Sequence, residues 1–138
     1  MMKLLRVIKQ MIVKLIEFLY RYISKCILVD EKLVIFISFH GRGYSDNPRA
    51  IYEEMIKDDY FKDYKFIWFI KNHKVKNLDI PKAKIVEYTS LEYFYYLSRA
   101  KYWIINCKMP TYISKKDSQV YLQTWHGTPL KRLGYDIL

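Results

Sequence analysis

Cysteine is nearly missing from this chain, which has only Cys26 and Cys107 in 138 residues. Their separation fits no zinc or redox spacing, so they read as two reduced thiols and not as a disulfide scaffold. Histidine is as sparse: His40, His73 and His126 show no metal-ligand spacing, and no metal is expected. No apolar run approaches the ~20 residues a bilayer-spanning helix needs. No long apolar core followed by a small-residue cleavage site marks a signal peptide. Neither a Walker A loop nor a G-x-G-x-x-G is present, which removes the ordinary nucleotide fingerprints. Internal repeats and low-complexity tracts are absent too.

What the chain does have is apolar and basic. Hydrophobic residues make up 51%, with 14 Tyr and 7 Phe, so it is no disordered polypeptide and its length allows one domain with a core. Lys and Arg number 24 against 14 Asp and Glu, a formal net charge of +10. Such a surface prefers polyanions: nucleic acid, anionic lipid or a phosphate-rich polymer. The aromatics lie mostly inside apolar runs and not on an exposed stacking platform, so a nucleic-acid partner is not expected.

Half of that net charge sits in residues 1–28, where Lys3, Arg6, Lys9, Lys14, Arg21 and Lys25 oppose a single acid, Glu17. At ~100° per residue these charges occupy roughly 160° of a helical wheel. Leu4, Ile8, Met11, Ile12, Leu15, Leu19 and Ile23 fill the opposite side. A basic amphipathic helix lying on an anionic membrane surface fits this pattern. The alternative is a helix that packs its apolar face on the rest of the domain.

From residue 32 onward the pattern changes to α/β. Lys32–Ser38 is a nearly continuous apolar run, as a buried parallel strand would be. The turn-rich segment His40–Pro48 follows. Asp46 or Asn47 is placed to cap a helix over Arg49–Lys57, with Pro48 at its first position. Strands are expected at Phe66–Ile70, Lys84–Glu87, Tyr102–Asn106 and Gln119–Thr124. Ser90 is expected to cap a helix over Leu91–Arg99. A last helix is expected from Thr128–Pro129. This alternation implies a Rossmann-like parallel sheet with right-handed crossovers and flanking helices. Ligands on such sheets bind at the carboxyl ends of strands. Here those ends are Ser38–Asn47, Asn106–Pro110 and Thr124–Pro129.

The segment Gln123–Gly134, QTWHGTPLKRLG, carries the most chemistry. A strand delivers His126 to its carboxyl end, and Gly127 removes bulk beside it. Thr128 and Pro129 open a helix whose free N–H groups favour an anionic phosphate. Lys131 and Arg132 add cations one turn later. A histidine beside a phosphate-binding helix end suits base-assisted phosphoryl transfer, and its ordinary pKa of ~6.5 suits proton transfer near neutrality. A lone histidine with a purely structural role is the competing reading.

QTWHGTPLKRLG resembles the signature of the CDP-glycerol glycerophosphotransferases, the teichoic acid primases and polymerases. Three more segments are similar to family segments, in order: Tyr44–Tyr52 (YSDNPRAIY), Phe66–Trp68 (FIW) and Ser98–Asn106 (SRAKYWIIN). The resemblance covers roughly residues 32–138. It implies that 32–138 is the acceptor-side, amino-terminal half of a GT-B architecture. It further implies peripheral attachment to the cytoplasmic face of the cell membrane, in agreement with a membrane helix over 1–28. The implied reaction moves glycerol phosphate from CDP-glycerol to a lipid-linked glycerol phosphate acceptor and releases CMP, with no cofactor. By the same resemblance His126 is the general base, and Gly127 and Thr128 shape the phosphate seat. Asp46, Asn47 and Arg49 are weaker candidates for acceptor contacts, with helix capping and loop closure as the alternative. Family members continue into a donor-binding domain. The sequence therefore reads as an incomplete transferase that needs a carboxyl-terminal donor-binding partner, or alternatively as a non-catalytic membrane-binding module.

Overall fold

The run Leu33–Ile37 is buried on both sides in a computed structural model of the chain, which describes residues 2–71 and 78–125, and in the first helix no side chains of residues 2–6, 9 and 13. Five strands form one sheet: β1 (Asp30–Ile37), β2 (Lys65–Ile70), β3 (Ala83–Glu87), β4 (Ala100–Ile105) and β5 (Val120–Gln123). Their order is β3-β2-β1-β4-β5, and each neighbouring pair is parallel. Ile35 is level with Ile67 on one side and Trp103 on the other. The chain works outward from β1 through β2 to β3, then crosses back to β4 and β5. The order therefore reverses between β1 and β4, the place where such sheets open a crevice.

Among the described residues three α-helices accompany the sheet: α1 (Met2–Cys26), α2 (Asp46–Met55) and α3 (Leu91–Arg99). Because strand side chains alternate, each face has its own core. Val34, Phe36, Phe66, Trp68 and Ile104 meet Tyr52 of α2 on one face. There Phe36 and Trp68 stack at 5.1 Å, and Tyr52 stands edge-on to both. Leu33, Ile35, Ile67, Phe69, Trp103 and Ile105 meet Tyr93 and Leu97 of α3 and Tyr20 of α1 on the other. The opposite placement of α2 and α3 is what right-handed crossovers running in opposite directions along a sheet require.

The parallel α/β sheet follows the sequence expectation, with differences at element ends. Ser90 caps α3 through a bond from the Tyr93 N–H, and α3 spans the expected residues. The α2 expectation needs correction. The helix begins at Asp46, three residues early, its N-cap is Ser45, and no side chain caps it. Asp46 has φ +60 and turns its carboxylate elsewhere, as described below. The helix expected from Thr128–Pro129 lies outside the described residues.

Helix α1 forms as its periodicity dictates, but it docks by an unexpected stripe. Among its described side chains Tyr20 and Ser24 are the buried ones, and on the wheel they share an arc with Arg6 and Lys9. Along the apolar stripe itself, Met11 (65% exposed), Leu15 (57%) and Phe18 (56%) face outward. Between α1 and α3 runs an apolar groove of about 370 Å³, lined by Leu19, Ile23, Leu91, Phe94 and Tyr95 among others. No described helix is long and apolar enough to cross a membrane.

The connection from β4 to β5 holds α1 from below. Lys116 Nζ donates to the carbonyl of Ile27, just past the end of α1, and to that of Ser98 in the last turn of α3 (2.8 Å). A cation suits the negative end of a helix dipole. Buried Gln119 continues the contact, its amide donating to the carbonyls of Leu97 (2.8 Å) and Ala100 (2.7 Å).

Candidate functional site at the switch point

Three strand ends converge at the crevice: β1 leads into residues 38–47, β4 into Asn106, and β5 into Thr124 and Trp125. Asn106 is the hub. It is fully buried, it ends an apolar strand, and its own N–H donates to the Ile37 carbonyl (3.3 Å). Its side-chain oxygen accepts from the Phe39 N–H (2.8 Å), and its Nδ2 donates to Asp46 Oδ2 (2.6 Å). One amide thus ties the loop after β1 and the start of α2 to the end of β4. A charge-assisted bond such as that to Asp46 is among the stronger kinds.

The loop after β1 is tightly wound. Phe39, His40 and Gly41 all have positive φ. Gly41 is required there: a Cβ would lie 2.9 Å from Tyr88, and its φ of +78 disfavours any side chain. The Ser38 hydroxyl closes the loop by donating to the Ser45 carbonyl (2.6 Å). The His40 N–H donates to Cys107 Sγ (3.2 Å), and burial pushes the Cys107 thiol pKa up. The His40 ring is exposed; partial desolvation, then the charges of Arg42 and Lys71, hold its pKa below the usual value.

Asn47 makes the second crossing. Its Nδ2 donates to the carbonyls of Trp125 (3.1 Å) and Thr124 (3.4 Å). Beneath it the Thr124 N–H donates to the Ile105 carbonyl (2.9 Å), carrying the β4–β5 pairing past Gln123. Trp125 then turns with φ +60. Asp46 and Asn47 therefore come together at the crevice, each bonded to protein. Arg49 is engaged within its own helix and the preceding loop: its guanidinium pairs with Glu53 (2.7 Å) and covers the Tyr44 ring at 4.9 Å.

The other expected site residues, His126, Gly127, Thr128, Lys131 and Arg132, lie outside the described residues. Of the expected membrane-facing cations, Lys14, Arg21 and Lys25 are exposed on α1, with Arg21 paired to Glu17 (3.2 Å). The side chains of Lys3, Arg6 and Lys9 lie outside the description. Among the described residues no three His, Cys, Asp or Glu are grouped to hold a metal ion. Asn106 was missed as a site residue by sequence reading. Its signals were a polar residue closing the apolar run YWIIN and its place at the start of the strand-end loop Asn106–Pro110.

The profile of the CDP-glycerol:poly(glycerophosphate) glycerophosphotransferases matches residues 19–138. The chain belongs to this family. Among curated members it is 38% identical over 137 residues to the teichoic acid poly(glycerol phosphate) polymerase of Bacillus spizizenii, covering 98% of this chain and 34% of that protein. It is 40% identical to the teichoic acid glycerol-phosphate transferase of Staphylococcus aureus, covering 94% and 33% respectively. The corresponding polymerase of Staphylococcus epidermidis is 46% identical over 109 residues, 79% of this chain and 15% of that protein. The chain thus spans at most about a third of the length of these relatives. Among solved structures, the wall teichoic acid polymerase TagF superimposes with a TM-score of 0.75 at 38% identity, over 99% of this chain and 33% of that one. A TagF variant soaked with CDPG gives 0.79 at 40% identity over the same shares. The parallel sheet and flanking helices of this chain are thus similar to those of TagF.

Proposed function

We propose that this chain is the acceptor-side part of a glycerophosphotransferase of teichoic acid synthesis, one that moves glycerol phosphate from CDP-glycerol to a lipid-linked glycerol phosphate acceptor. The observation that carries the reading is the switch-point crevice, where the Asp46–Asn106 bond pins the start of α2 to the end of β4 and the Asn47–Trp125 bond holds the chain that leads directly into His126.

In this reading His126 takes the proton of the acceptor hydroxyl as that oxygen attacks the glycerol-bearing phosphorus. The P–O bond to CMP breaks, and CMP leaves with the electron pair. Gly127 and Thr128 shape the phosphate seat, and Lys131 and Arg132 offset its charge. No cofactor takes part. The CDP-glycerol contacts come from a donor-binding part, in a GT-B arrangement, either covalently continuous or a separate polypeptide.

Peripheral attachment to the cytoplasmic face of the cell membrane belongs to the same proposal. The outward apolar stripe of α1, with Lys14, Arg21 and Lys25 beside it, suits an anionic leaflet. That stripe also favours a second reading, a membrane-docking module without chemistry.

The deciding experiment is CMP release from CDP-glycerol on acceptor-bearing vesicles, with and without a family donor-binding domain. Activity should need both parts and fall roughly 100-fold or more in His126→Ala. Undiminished release by that variant would sink the assignment of the base. Silence in every combination with vesicle binding intact would favour the docking module.

A further inference from the structure

Asn47 was a candidate for touching the acceptor, but its bonds point to a different task. We propose that Asn47 is a positioning residue for His126, acting through the peptide unit between Trp125 and His126, and is not an acceptor contact. Its importance for turnover rests on the reading of His126 given above.

The argument starts from covalent geometry. The carbonyl of Trp125 and the nitrogen of His126 belong to one planar peptide unit. Whatever holds that oxygen also fixes the direction in which the chain enters residue 126. Asn47 Nδ2 lies 3.1 Å from that oxygen and 3.4 Å from the carbonyl before it. The grip falls where it is needed. β5 ends at Gln123, and Trp125 follows directly after the Thr124 N–H that donates to the Ile105 carbonyl. Trp125 also has φ +60, a conformation that persists in a bulky residue only when its surroundings impose it.

A clamp must itself be fixed, and Asn47 is. It follows Asp46, whose carboxylate is bonded to the buried Asn106 amide, and precedes Pro48, which is buried. The start of α2 is thereby pinned to β4, and Asn47 carries that pin across to the chain leaving β5. Both bonds use the Nδ2 group, so its donors are spent on the main chain, not presented to a ligand. Main-chain carbonyls as the target also mean that the clamp does not depend on the side chain at 124 or 125.

The test needs a readout that loss of stability alone would not move. The three histidines of the full chain, labelled with 13C and 15N, are told apart by His126→Ala and His40→Ala spectra. In Asn47→Ala, and in the isosteric Asn47→Asp that lacks the donor, the His126 ring signals should shift and broaden. Its amide should exchange roughly fivefold faster. The His40 signals should hold, and Asn47→Gln, which keeps the donor, should recover part of the wild-type pattern. Thermal melts identify any variant that fails to fold, leaving the others to decide. In the two-part CMP-release assay the Ala and Asp variants should lower kcat roughly 10- to 100-fold with acceptor KM held. Unmoved His126 signals in folded variants would overturn the proposal, as would a raised acceptor KM with kcat unchanged. The spectra need no turnover, so a failure of the clamp appears there. A failure of the catalytic reading appears instead in the His126→Ala assay.

Discussion

The switch-point edge of the sheet and helix α1 treat their chemically demanding groups in opposite ways. At the edge, Asn106, Asp46, Asn47 and Ser38 each find a partner inside the protein, across up to 78 residues of sequence. Along α1, large apolar side chains from Val7 to Ile23 stay exposed, and among its described side chains only Tyr20 and Ser24 are buried. Where groups satisfy one another, the sequence is explained by the fold. Where they do not, it is explained by something the fold meets. Substitutions at the edge should therefore register in stability, and substitutions on the outer stripe of α1 in association.

The largest stability effect is expected from Asn106→Leu. It removes the acceptor of the Phe39 N–H and the donor to Asp46, and should cost about 1–3 kcal/mol in denaturant unfolding. A cost below the error of that measurement would show that the edge is not held by its hub. A smaller effect separates the anchor of α1 from its outer stripe. Burial pushes the Tyr20 hydroxyl pKa up to about 12. With the folded pKa above the unfolded value of about 10, the folded state holds its proton longer. Tyr20 thus contributes stability that is complete below pH ~10 and lost as pH rises through ~12. Tyr44, Tyr52 and Tyr88 are raised to about 12 as well and share the sign. Stability should fall across that window, and Tyr20→Phe should flatten the fall; an unchanged slope would mean that α1 is not anchored by Tyr20. The smallest stability effect is expected from Leu15→Lys, within about 0.5 kcal/mol of wild type. The same variant should bind anionic vesicles more weakly by co-sedimentation. Unchanged vesicle binding would remove the explanation offered for the stripe.

Much of this was legible in the sequence because it is written locally. The apolar run 33–37 specifies a strand buried on both faces, and Ser90 with the pattern of 91–99 specifies α3 and its cap. The polar strand ends at 38–47, 106 and 124 mark the crevice. The rest depends on pairings that no window contains. Asp46 and Asn47 look like caps because caps are local, and only the fold brings Asn106 and Trp125 within their reach. Tyr20 and Ser24 were hidden for a related reason. They lie on the same arc as Arg6 and Lys9, and only the position of α3 shows which border of the helix meets the domain.

The bonds of Lys116 have a mechanical consequence. Helix α1 is a rod of 25 residues, roughly 37 Å long. Near its carboxyl end one ammonium group grips the chain and the last turn of α3 together. That ammonium belongs to the residue four positions before β5. One side chain therefore ties the exit of α1 and the last turn of α3 to the segment that enters β5.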